Sequence, residues 1–385
     1  MHYDYDLIIV GGGPAGAIMA LSAARQNLRA LLLDKARFPR DKVCGDAIPP
    51  RSRPLLQKYN LLDAVRQAPH APVTAEVVQT PTEQLRVQFD EPELIVRRVH
   101  FDNVLFQAAK AVVETREGCP VTDLLRDDSG QVCGVVAGPS QKITARVVAG
   151  ADGFSSIVAR RAGLYRYERA HWAVATRCYY RRVPFTPGEY EVHYFDDIWP
   201  GYLWIFPVDD EVVNVGLGQF PAAHTERIPL AELHRRLLQS PSLRSRFARA
   251  EPLGPIRGWN LPLASIQRPL HGDGFILAGD AAGLIDPLRG HGIDAAMLSG
   301  QIAGEVLGQI CRGSDYRAER LALYAETVWQ QLGPLFNFTR RFRERWDNPP
   351  PRWQSLSRLE TLNKFYFQGR GVLSQLNPAS EQRSG

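Results

Sequence analysis

Three glycines near the start of the chain have the spacing of a dinucleotide-binding turn. They are Gly11, Gly13 and Gly16. Gly11 permits a tight turn, Gly13 lets the backbone approach a pyrophosphate, and Gly16 lets a helix pack closely on a strand. Asp34 follows about 20 residues later and would accept hydrogen bonds from ribose hydroxyls. The spacing therefore predicts a dinucleotide site.

Two further motifs of glycine and aspartate occur later in the chain. Gly150-Ala151-Asp152-Gly153 ends one apolar run, and Gly279-Asp280 ends another. The segment from Asp286 to Ile293 then opens a helical stretch. Together with the first motif they would place three strand ends against a nucleotide, which is more than a simple NAD site needs. The sequence therefore favours FAD as the cofactor.

Three aromatic residues alternate along one apolar run. They are Tyr202, Trp204 and Phe206. Alternate residues of a strand point to the same face, so the three rings would share one side of a sheet. That face could line an apolar substrate cavity, or it could be an ordinary packed aromatic core.

These residues need a parallel sheet to bring them together. Asp6 to Val10 is predicted as a buried strand, the Ala-rich run to Gln26 as a helix, and Leu28 to Asp34 as a second buried strand, which is a βαβ unit. The other predicted elements are a helix from Phe101 to Glu114, a β-meander from Val121 to Gly150, a helix over residues 229–250, a strand from Phe275 to Ala278, a long helix from Ile293, and further helices from Tyr316 that are interrupted at Asn348 to Pro351.

A second sheet is predicted from short runs rich in Tyr, Phe, Val and Trp. They are Ala173 to Val183, Glu189 to Phe195, Gly201 to Val208 and Val212 to Phe220. We therefore predict an α/β fold with a Rossmann-type FAD-binding domain, an antiparallel β-sheet substrate domain and a C-terminal helical segment. The predicted boundaries are 1–70, 95–165 and 265–315 for the FAD-binding domain, 71–94 and 166–264 for the substrate domain, and 316–385 for the helical segment, whose last residues, Pro378 to Gly385, have the composition of a frayed tail.

The composition narrows the classes of protein that are possible. Hydrophobic residues make up 44% of the 385 residues and charged residues 23%, as in an ordinary globular protein. A net charge of +5 is too small to indicate nucleic acid binding. The five cysteines are scattered, and neither they nor the histidines have metal-ligand spacing, so no metal is predicted. With no signal peptide or membrane span in the sequence, we expect a cytoplasmic protein.

One basic segment leaves the question of a membrane open. Phe336 to Trp346 contains four arginines between aromatic residues. It could be an amphipathic helix that touches a membrane or caps a lipid tunnel. It could equally be a helix packed on the fold with stacked arginines.

In the order of its motifs the sequence resembles the FAD-dependent oxidoreductases with the para-hydroxybenzoate hydroxylase type fold. The resemblance implies that Asp280 holds the ribityl chain and that Arg98 contacts the cofactor. It also implies that the backbone of the Gly290 to Ile293 segment faces flavin N1 and O2, where a helix N-terminus stabilises the charge of the reduced flavin. The predicted cofactor-binding residues are Gly11, Gly13, Ala15, Gly16, Asp34, Lys35, Arg98, Asp152, Gly279, Asp280, Pro287, Gly290, Gly292 and Ile293.

Two segments are similar to signatures of the geranylgeranyl reductase family, which reduces C=C bonds of isoprenoid chains. They are Lys42-Val43-Cys44-Gly45 and Tyr202-Leu203-Trp204-Ile205-Phe206-Pro207. The resemblance implies that Cys44 lies at the flavin and that Tyr202, Trp204 and Phe206 line a cavity for a hydrophobic, isoprenoid or lipid-like substrate. The hydride would come from flavin N5.

The sequence departs from that family at two places near the expected site. Arg289-Gly290-His291-Gly292 stands where the family usually has T-G-E-G, so an imidazole that titrates near pH 7 would replace a carboxylate. Asp46 follows Cys44-Gly45 and adds another ionisable group. We therefore predict Cys44, Asp46 and His291 as the catalytic set, one of which, or a water beside it, supplies the proton.

Two other functions stay open at this point. A flavin-dependent monooxygenase or halogenase would use the same scaffold through a flavin hydroperoxide, although Ala159 stands where aromatic hydroxylases carry an arginine, and the halogenase strand reads W-x-W-x-I-P. A lipid carrier with a structural FAD is the non-enzymatic alternative. For the reductase, the electron donor would be NAD(P)H or a ferredoxin-like protein, because the sequence has no second nucleotide-binding motif.

Overall fold

The computed structural model describes residues 2–220 and 228–347, which form a mixed α/β fold with two large sheets. The strands are β1 Tyr5–Val10, β2 Ala30–Asp34, β3 Ala47–Ile48, β4 His70–Gln79, β5 Gln84–Val96, β6 Glu114–Glu117, β7 Val121–Arg126, β8 Val132–Ala137, β9 Gln141–Gly150, β10 Trp172–Arg181, β11 Glu189–His193, β12 Tyr202–Pro207, β13 Val212–Gln219, β14 Glu251–Pro252, β15 Arg257–Pro262, β16 His271–Gly272 and β17 Phe275–Leu277. The helices are α1 Pro14–Arg25, α2 Arg53–Lys58, α3 Leu62–Gln67, α4 Arg98–Lys110, α5 Ile157–Arg161, α6 Leu230–Leu238, α7 Ile293–Ile310 and α8 Ala318–Asp347.

The first sheet has a parallel core in the order β17-β9-β1-β2-β6. Its central strands are continuous apolar runs, and Ile8, Ile9 and Leu32 have no exposed surface. Such runs are typical of parallel strands covered on both faces. Because the strands are parallel, the carboxyl ends of β1, β9 and β17 reach the same edge, where all three glycine motifs begin.

Helix α7 packs against α1 through a row of glycines. A Cβ atom on Gly300 would overlap the carbonyl oxygen of Ala15, and one on Gly304 would overlap the side chain of Ser22. The two helix backbones can approach this closely only because those side chains are absent. The contact holds the N-terminus of α7 beside the first glycine turn.

The second sheet has the order β14-β10-β13-β12-β11-β4-β5-β3, with β15 also paired to β10. Its pairs are antiparallel except for β11 and β4, which run parallel in a register that places Glu189 opposite Ala75. On β12, Leu203 and Ile205 face a core that includes residues of α6. Trp204 and Phe206 belong to a different cluster on the opposite face. The predicted fold class is confirmed, with this one parallel pair inside the second sheet.

Some element boundaries differ from the sequence prediction. Glu114, predicted as the end of a helix, begins β6, because pairing with Leu31 on β2 satisfies its backbone. The helix predicted over residues 229–250 ends at Leu238, just before Ser240-Pro241. It ends there because a proline disfavours helical geometry in the residue before it. Strand β3 lies in the predicted FAD-binding segment 1–70 but pairs with β5 in the second sheet. The domain boundaries remain an interpretation of the sequence.

Helix α8 contains the whole basic segment from Phe336 to Trp346. Arg343 is 8% exposed, its Nη1 donates to the carbonyl oxygen of Pro287 at 2.8 Å, and its guanidinium lies 4.0 Å from the ring centroid of Phe220. This residue therefore packs on the fold. The predicted break at Asn348 to Pro351 and the predicted tail lie outside the described residues. Within the described ranges, no helix has the length and apolar character needed to cross a bilayer.

Candidate active site

A cavity of 760 Å³ lies where the carboxyl ends of β1, β2 and β9 meet. Its walls come from the turns that follow these strands and from the start of α1. The residues predicted to bind the cofactor that line this cavity are Gly11, Gly13, Ala15, Asp34, Lys35, Arg98, Asp152 and Asp280.

The N-terminus of α1 opens into this cavity. Gly13 is the N-cap residue and Pro14 is the first helical residue. A Cβ atom on Gly13 would meet only Nη2 of Arg40, at 3.6 Å, so the side of Gly13 that lacks a side chain borders open space. Backbone N–H groups and the helix dipole make such an end a binding site for a phosphate group.

Asp34 is held at the end of β2 by two backbone groups. Its Oδ2 accepts from the N–H of Gly12 and its Oδ1 from the N–H of Ala36, both at 2.7 Å. Each carboxylate oxygen has a further lone pair. Asp34 can therefore accept hydrogen bonds from the hydroxyls of a ribose, and the backbone fixes the orientation of its carboxylate.

Asp152 provides a test of whether the cavity fits a ligand rich in hydroxyls. Its Oδ2 accepts from the N–H of Ile157 at 2.7 Å, whereas its buried Oδ1 has no hydrogen-bond partner among the described residues. A buried carboxylate oxygen of this kind is costly unless something donates to it. Because Asp152 lines the cavity, the hydroxyl groups and amines of FAD are suitable donors, and the residues present fit the cofactor.

Two arginines share one buried carboxylate at the cavity wall. Arg98 donates to Asp102 at 2.6 and 2.8 Å, and Arg40 donates to the same carboxylate at 2.6 Å. Burial would raise the pKa of Asp102, but these two guanidinium groups lower it below its usual value. Two positive charges against one negative charge leave a net positive charge, which suits a pyrophosphate.

A second cavity of 140 Å³ adjoins the first and shares several of its walls, including Pro14, Lys42 and Asp280. The N-terminus of α7 contributes Gly292 as its N-cap residue. The predicted residues that line this smaller cavity are Cys44, Asp46, Arg98, Tyr202, Trp204, Phe206, Asp280, Gly290, His291, Gly292 and Ile293. The structure thus brings the predicted catalytic, flavin-facing and aromatic residues to one place.

A hydrogen-bonded network holds Asp46 at this cavity. Asp46 has no exposed surface. Its Oδ2 accepts from the Tyr179 hydroxyl at 2.6 Å and from Nδ2 of Asn214 at 2.7 Å. Asn214 Nδ2 also donates to the Cys44 carbonyl oxygen at 2.8 Å, and Nε1 of Trp204 donates to Asn214 Oδ1 at 2.9 Å. The carboxyl group and the aromatic wall are therefore parts of one rigid network.

Burial raises the pKa of Asp46 to about 6, although the hydrogen bond from Tyr179 and the charge of Arg177 oppose the rise. About a tenth of the carboxyl groups are then protonated at pH 7, and more at lower pH. A general acid works best with a pKa near the working pH. Asp46 has both the position and the acidity for that role.

His291 differs from the sequence expectation of an imidazole that titrates near pH 7. Burial lowers its pKa to about 4, with the nearby charge of Arg289 acting in the same direction. The ring is therefore neutral at pH 7. In that state it can donate or accept a hydrogen bond in the cavity, but it is a poor source of protons.

Some predicted cofactor residues do not line either cavity. Gly16 is a packing residue, because a Cβ atom there would overlap the carbonyl oxygen of Gly11. Gly279 is buried beneath the cavity and its N–H donates to Ser299 Oγ at 3.1 Å. Pro287 accepts a hydrogen bond from Arg343. Their effect on the cofactor would be indirect.

The sequence reasoning missed several residues of the site. They are Arg40, Lys42, Asp102, Arg177, Tyr179, Asn214 and Trp259. Lys42 Nζ donates to Asp280 Oδ2 at 3.1 Å, and Lys42 begins the Lys42-Val43-Cys44-Gly45 segment noted in the sequence. Tyr179 and Asn214 carried no such signal, since they lie within strands β10 and β13 and belong to none of the motifs.

The fold and the two cavities define a class of protein, the FAD-dependent oxidoreductases. The chain belongs to the FAD binding domain family, which it matches over residues 4–327.

Named relatives are reductases. The digeranylgeranylglycerophospholipid reductase of Methanocella arvoryzae is 29% identical over 359 residues, which cover 89% of this chain and 88% of that protein. The menaquinone reductase of Mycobacterium tuberculosis is 30% identical over 316 residues, covering 78% of this chain and 76% of that protein. The predicted resemblance to the geranylgeranyl reductases is confirmed.

Solved structures agree on the fold. A geranylgeranyl bacteriochlorophyll reductase-like protein from Thermoplasma acidophilum superimposes with a TM-score of 0.81 at 24% identity, covering 94% of this chain and 91% of that one. Flavin-dependent halogenases of known structure share the fold as well. At these identities the likeness shows the fold alone.

Proposed function

We propose that this protein uses FAD to reduce C=C bonds of a hydrophobic, isoprenoid or lipid-like substrate. The observation that carries the proposal is an aromatic cavity, with a buried acid in its wall, that adjoins the dinucleotide cavity. When bound, FAD supplies the hydride for such a reduction. The protein must then bind an apolar chain and supply one proton.

The aromatic wall suits an apolar chain because its polar atoms are already hydrogen-bonded. The ring centroids of Tyr202 and Trp204 lie 6.1 Å apart, as do those of Trp204 and Phe206. The Tyr202 hydroxyl donates to the carbonyl oxygen of Arg289 at 2.5 Å, and the indole N–H of Trp204 donates to Asn214 Oδ1. A hydrocarbon placed against these rings leaves no polar group unpaired.

Asp46 is the proposed proton donor. It lies in the wall of the same cavity, and its raised pKa of about 6 keeps a protonated population near neutral pH. We propose that the other members of the predicted catalytic set, Cys44 and His291, contact the substrate from the same cavity, with His291 as a neutral hydrogen-bonding group. The relatives named for isoprenoid lipids support the substrate class.

The test uses a substrate whose only reducible groups are C=C bonds. Protein with bound FAD is reduced with dithionite under anaerobic conditions and mixed with geranylgeraniol in detergent micelles. We expect the flavin absorbance to return and the product to gain two hydrogens per reduced bond. Both are deuterium when the solvent is D2O, because the hydrogen on N5 of dithionite-reduced flavin also comes from solvent. The saturated alcohol phytanol is the matched control. The proposal is contradicted if no isoprenoid probe reoxidises the flavin. The probes include a menaquinone, for which reduction is scored by the mass of the side chain.

The same experiment separates the rival functions. A monooxygenase or halogenase needs oxygen, so it would convert no substrate under anaerobic conditions. Oxygenated or brominated product formed only in air with bromide would favour that rival.

The cavity wall offers a prediction about chain length. A Cβ atom on Gly216 would overlap the indole ring of Trp204, so Gly216→Ala should push that ring into the cavity. Overpacking of this kind costs about 1–3 kcal/mol, and we expect KM for geranylgeraniol to rise roughly 10-fold or more, since 1.4 kcal/mol is tenfold in binding. FAD content should not change.

Gly218→Ala is the graded comparison for this prediction. Its Cβ atom would lie 3.9 Å from the rings of Phe220 and Trp204, which is ordinary contact. The KM effect should therefore be smaller than that of Gly216→Ala. KM is measured for geranylgeraniol and for the shorter alcohol farnesol. If both variants and the native protein have equal KM values for each alcohol, the substrate chain does not lie at this wall.

The electron donor and a membrane contact belong to the same proposal. We propose NAD(P)H or a ferredoxin-like protein as the reductant, and the rate of anaerobic flavin bleaching by each distinguishes the two. A lipid substrate would also bring the protein to a membrane surface, where exposed basic residues of α8 such as Arg341 would contact anionic headgroups.

A further inference from the structure

Reduction of a C=C bond by the proposed mechanism consumes one proton from Asp46 in each turnover. The inference that follows rests on that proposed function. The hydride and the proton add to the two carbons of the double bond, and the Asp46 carboxylate must be reprotonated before the next turnover. Asp46 has no exposed surface and lines the small cavity, so while substrate or product fills that cavity a proton from solvent has to reach it through a neighbouring group.

The hydrogen-bond partners of the Asp46 side chain differ in their ability to pass a proton. Asn214 donates through an amide, and Arg98 donates through its backbone N–H at 3.2 Å. Neither an amide nor a peptide N–H is a practical proton carrier, whereas a phenol hydroxyl both donates and accepts. Among the partners that the described residues provide, Tyr179 alone has this property, and it donates to Asp46 at 2.6 Å.

Tyr179 also reaches towards the outside of the protein. Its side chain is partly exposed, unlike that of Asp46. Its ring stacks with two guanidinium groups, those of Arg97 at 4.7 Å and Arg177 at 4.1 Å from the centroid. Arg177 is fixed in turn by Asp41, to which it donates at 2.8 and 2.9 Å. The stacking keeps the ring in one orientation, which a relay requires.

We propose that the Tyr179 hydroxyl is the route by which protons from solvent reach Asp46. As the Asp46 carboxylate accepts the proton of the Tyr179 hydroxyl, the phenol oxygen takes one from water or buffer. The transfer is concerted, because burial and the neighbouring Asp46 charge raise the pKa of Tyr179 far above its usual value and a free tyrosinate would be too costly. Tyr179 does not line the small cavity, so substrate bound there does not displace this hydroxyl.

The test follows hydrogen exchange at the Asp46 carboxyl group and needs no substrate. Protein with bound FAD is diluted rapidly from H2O into D2O at pH 5, below the pKa of about 6, and the carboxylic acid C=O stretch is followed by infrared spectroscopy. The band that is missing in Asp46→Asn is the band of Asp46. This comparison separates it from other protonated carboxyls such as Glu93, because burial and the nearby Glu76 raise the pKa of Glu93 to about 8. We expect exchange in Tyr179→Phe to be at least roughly tenfold slower than in the native protein, by analogy with the loss of one proton-transfer group.

Two matched variants distinguish a relay from a change in hydrogen bonding. Asn214→Leu removes the other side-chain hydrogen bond to the same carboxylate oxygen but leaves the phenol, so its exchange should stay fast. Tyr180→Phe removes a hydroxyl from the next residue of β10, whose ring packs against Phe247 instead, and should also stay fast. Native exchange rates in Tyr179→Phe, or equal slowing in Asn214→Leu, would overturn the proposal.

Turnover gives a second readout. In Tyr179→Phe we expect slower reoxidation by geranylgeraniol and a larger solvent isotope effect, with unchanged flavin reduction by dithionite. If the native protein reduces no isoprenoid probe while the exchange result holds, the proposed function fails and the proton route stands. If the native protein is active and exchange is insensitive to Tyr179, the route fails and the function stands.

Discussion

A protein carrying Gly13→Val is expected to fold and to be colourless. The Gly13 Cβ position has Arg40 Nη2 as its nearest neighbour, at 3.6 Å, so the fold can accommodate a larger side chain there. The added methyl groups would occupy the space beside the N-terminus of α1, where the pyrophosphate of FAD is expected. A clash of roughly 3 kcal/mol corresponds to about a 100-fold loss of affinity. The ratio of flavin absorbance to protein absorbance, with FAD titration by fluorescence quenching, measures this loss.

The control must separate loss of cofactor from loss of fold. Gly333, in the middle of α8, has open space at its Cβ position and lines neither cavity. Gly333→Val should therefore keep its FAD. Far-ultraviolet circular dichroism should be the same for both variants. Stoichiometric FAD in folded Gly13→Val would mean that the pyrophosphate does not lie at this turn.

Asp46→Asn is expected to lose turnover by about 100-fold or more, because removing a general acid typically costs a factor of 10²–10⁴. The backbone of Asp46 has φ +67°, a left-handed conformation that asparagine tolerates well. FAD content and anaerobic flavin reduction should be unchanged, while reoxidation by geranylgeraniol slows. In the native protein the rate of that step should fall as the pH rises through about 6, and this pH dependence should vanish in the variant.

Stability should change in the opposite direction from activity. Burial raises the pKa of Asp46 from 3.8 to about 6, so the folded state binds the proton more tightly than the unfolded state. The native protein therefore loses stability between about pH 4 and pH 6 as the carboxyl ionises, and it stays less stable above that range. Asp46→Asn removes the ionisation and should raise the melting temperature at pH 8.

A surface aspartate gives the comparison for both measurements. Asp197 is 54% exposed and forms a surface ion pair with Arg236 of α6. Asp197→Asn should alter neither the pH profile nor the melting temperature appreciably. If Asp46→Asn turns over at the native rate with the native pH profile, the proton comes from another group, and Cys44 or a bound water would be next to test.

The glycine motifs and the apolar strands could be predicted from the sequence because their physics is local. A strand such as β1, a glycine turn and a following helix restrict the backbone within about 30 residues, the length of one βαβ unit. The same holds for the alternation of Tyr202, Trp204 and Phe206, since the period of a strand is enough to place them on one face. The proposed role of Cys44 comes only from the resemblance of its segment to a known motif.

Other features depend on contacts between distant segments. The parallel pairing of β11 with β4 joins residues more than 100 positions apart, and no local pattern distinguishes it from an antiparallel pair. The neutral state of His291 depends on its burial and on the charge of Arg289, which the sequence suggested only as neighbours in the chain.

The sequence by itself determined the class of fold and the cofactor, and it singled out many of the residues that line the two cavities. Only the tertiary structure decided which group is placed to give a proton, because a pKa is set by desolvation and by charges that meet in space. Asp46, Tyr179 and Asn214 come from segments up to 168 residues apart, and they meet only after β3, β10 and β13 have assembled into the second sheet. A strand residue such as Tyr179 has no distinguishing neighbours in sequence, so its place beside Asp46 follows from packing alone.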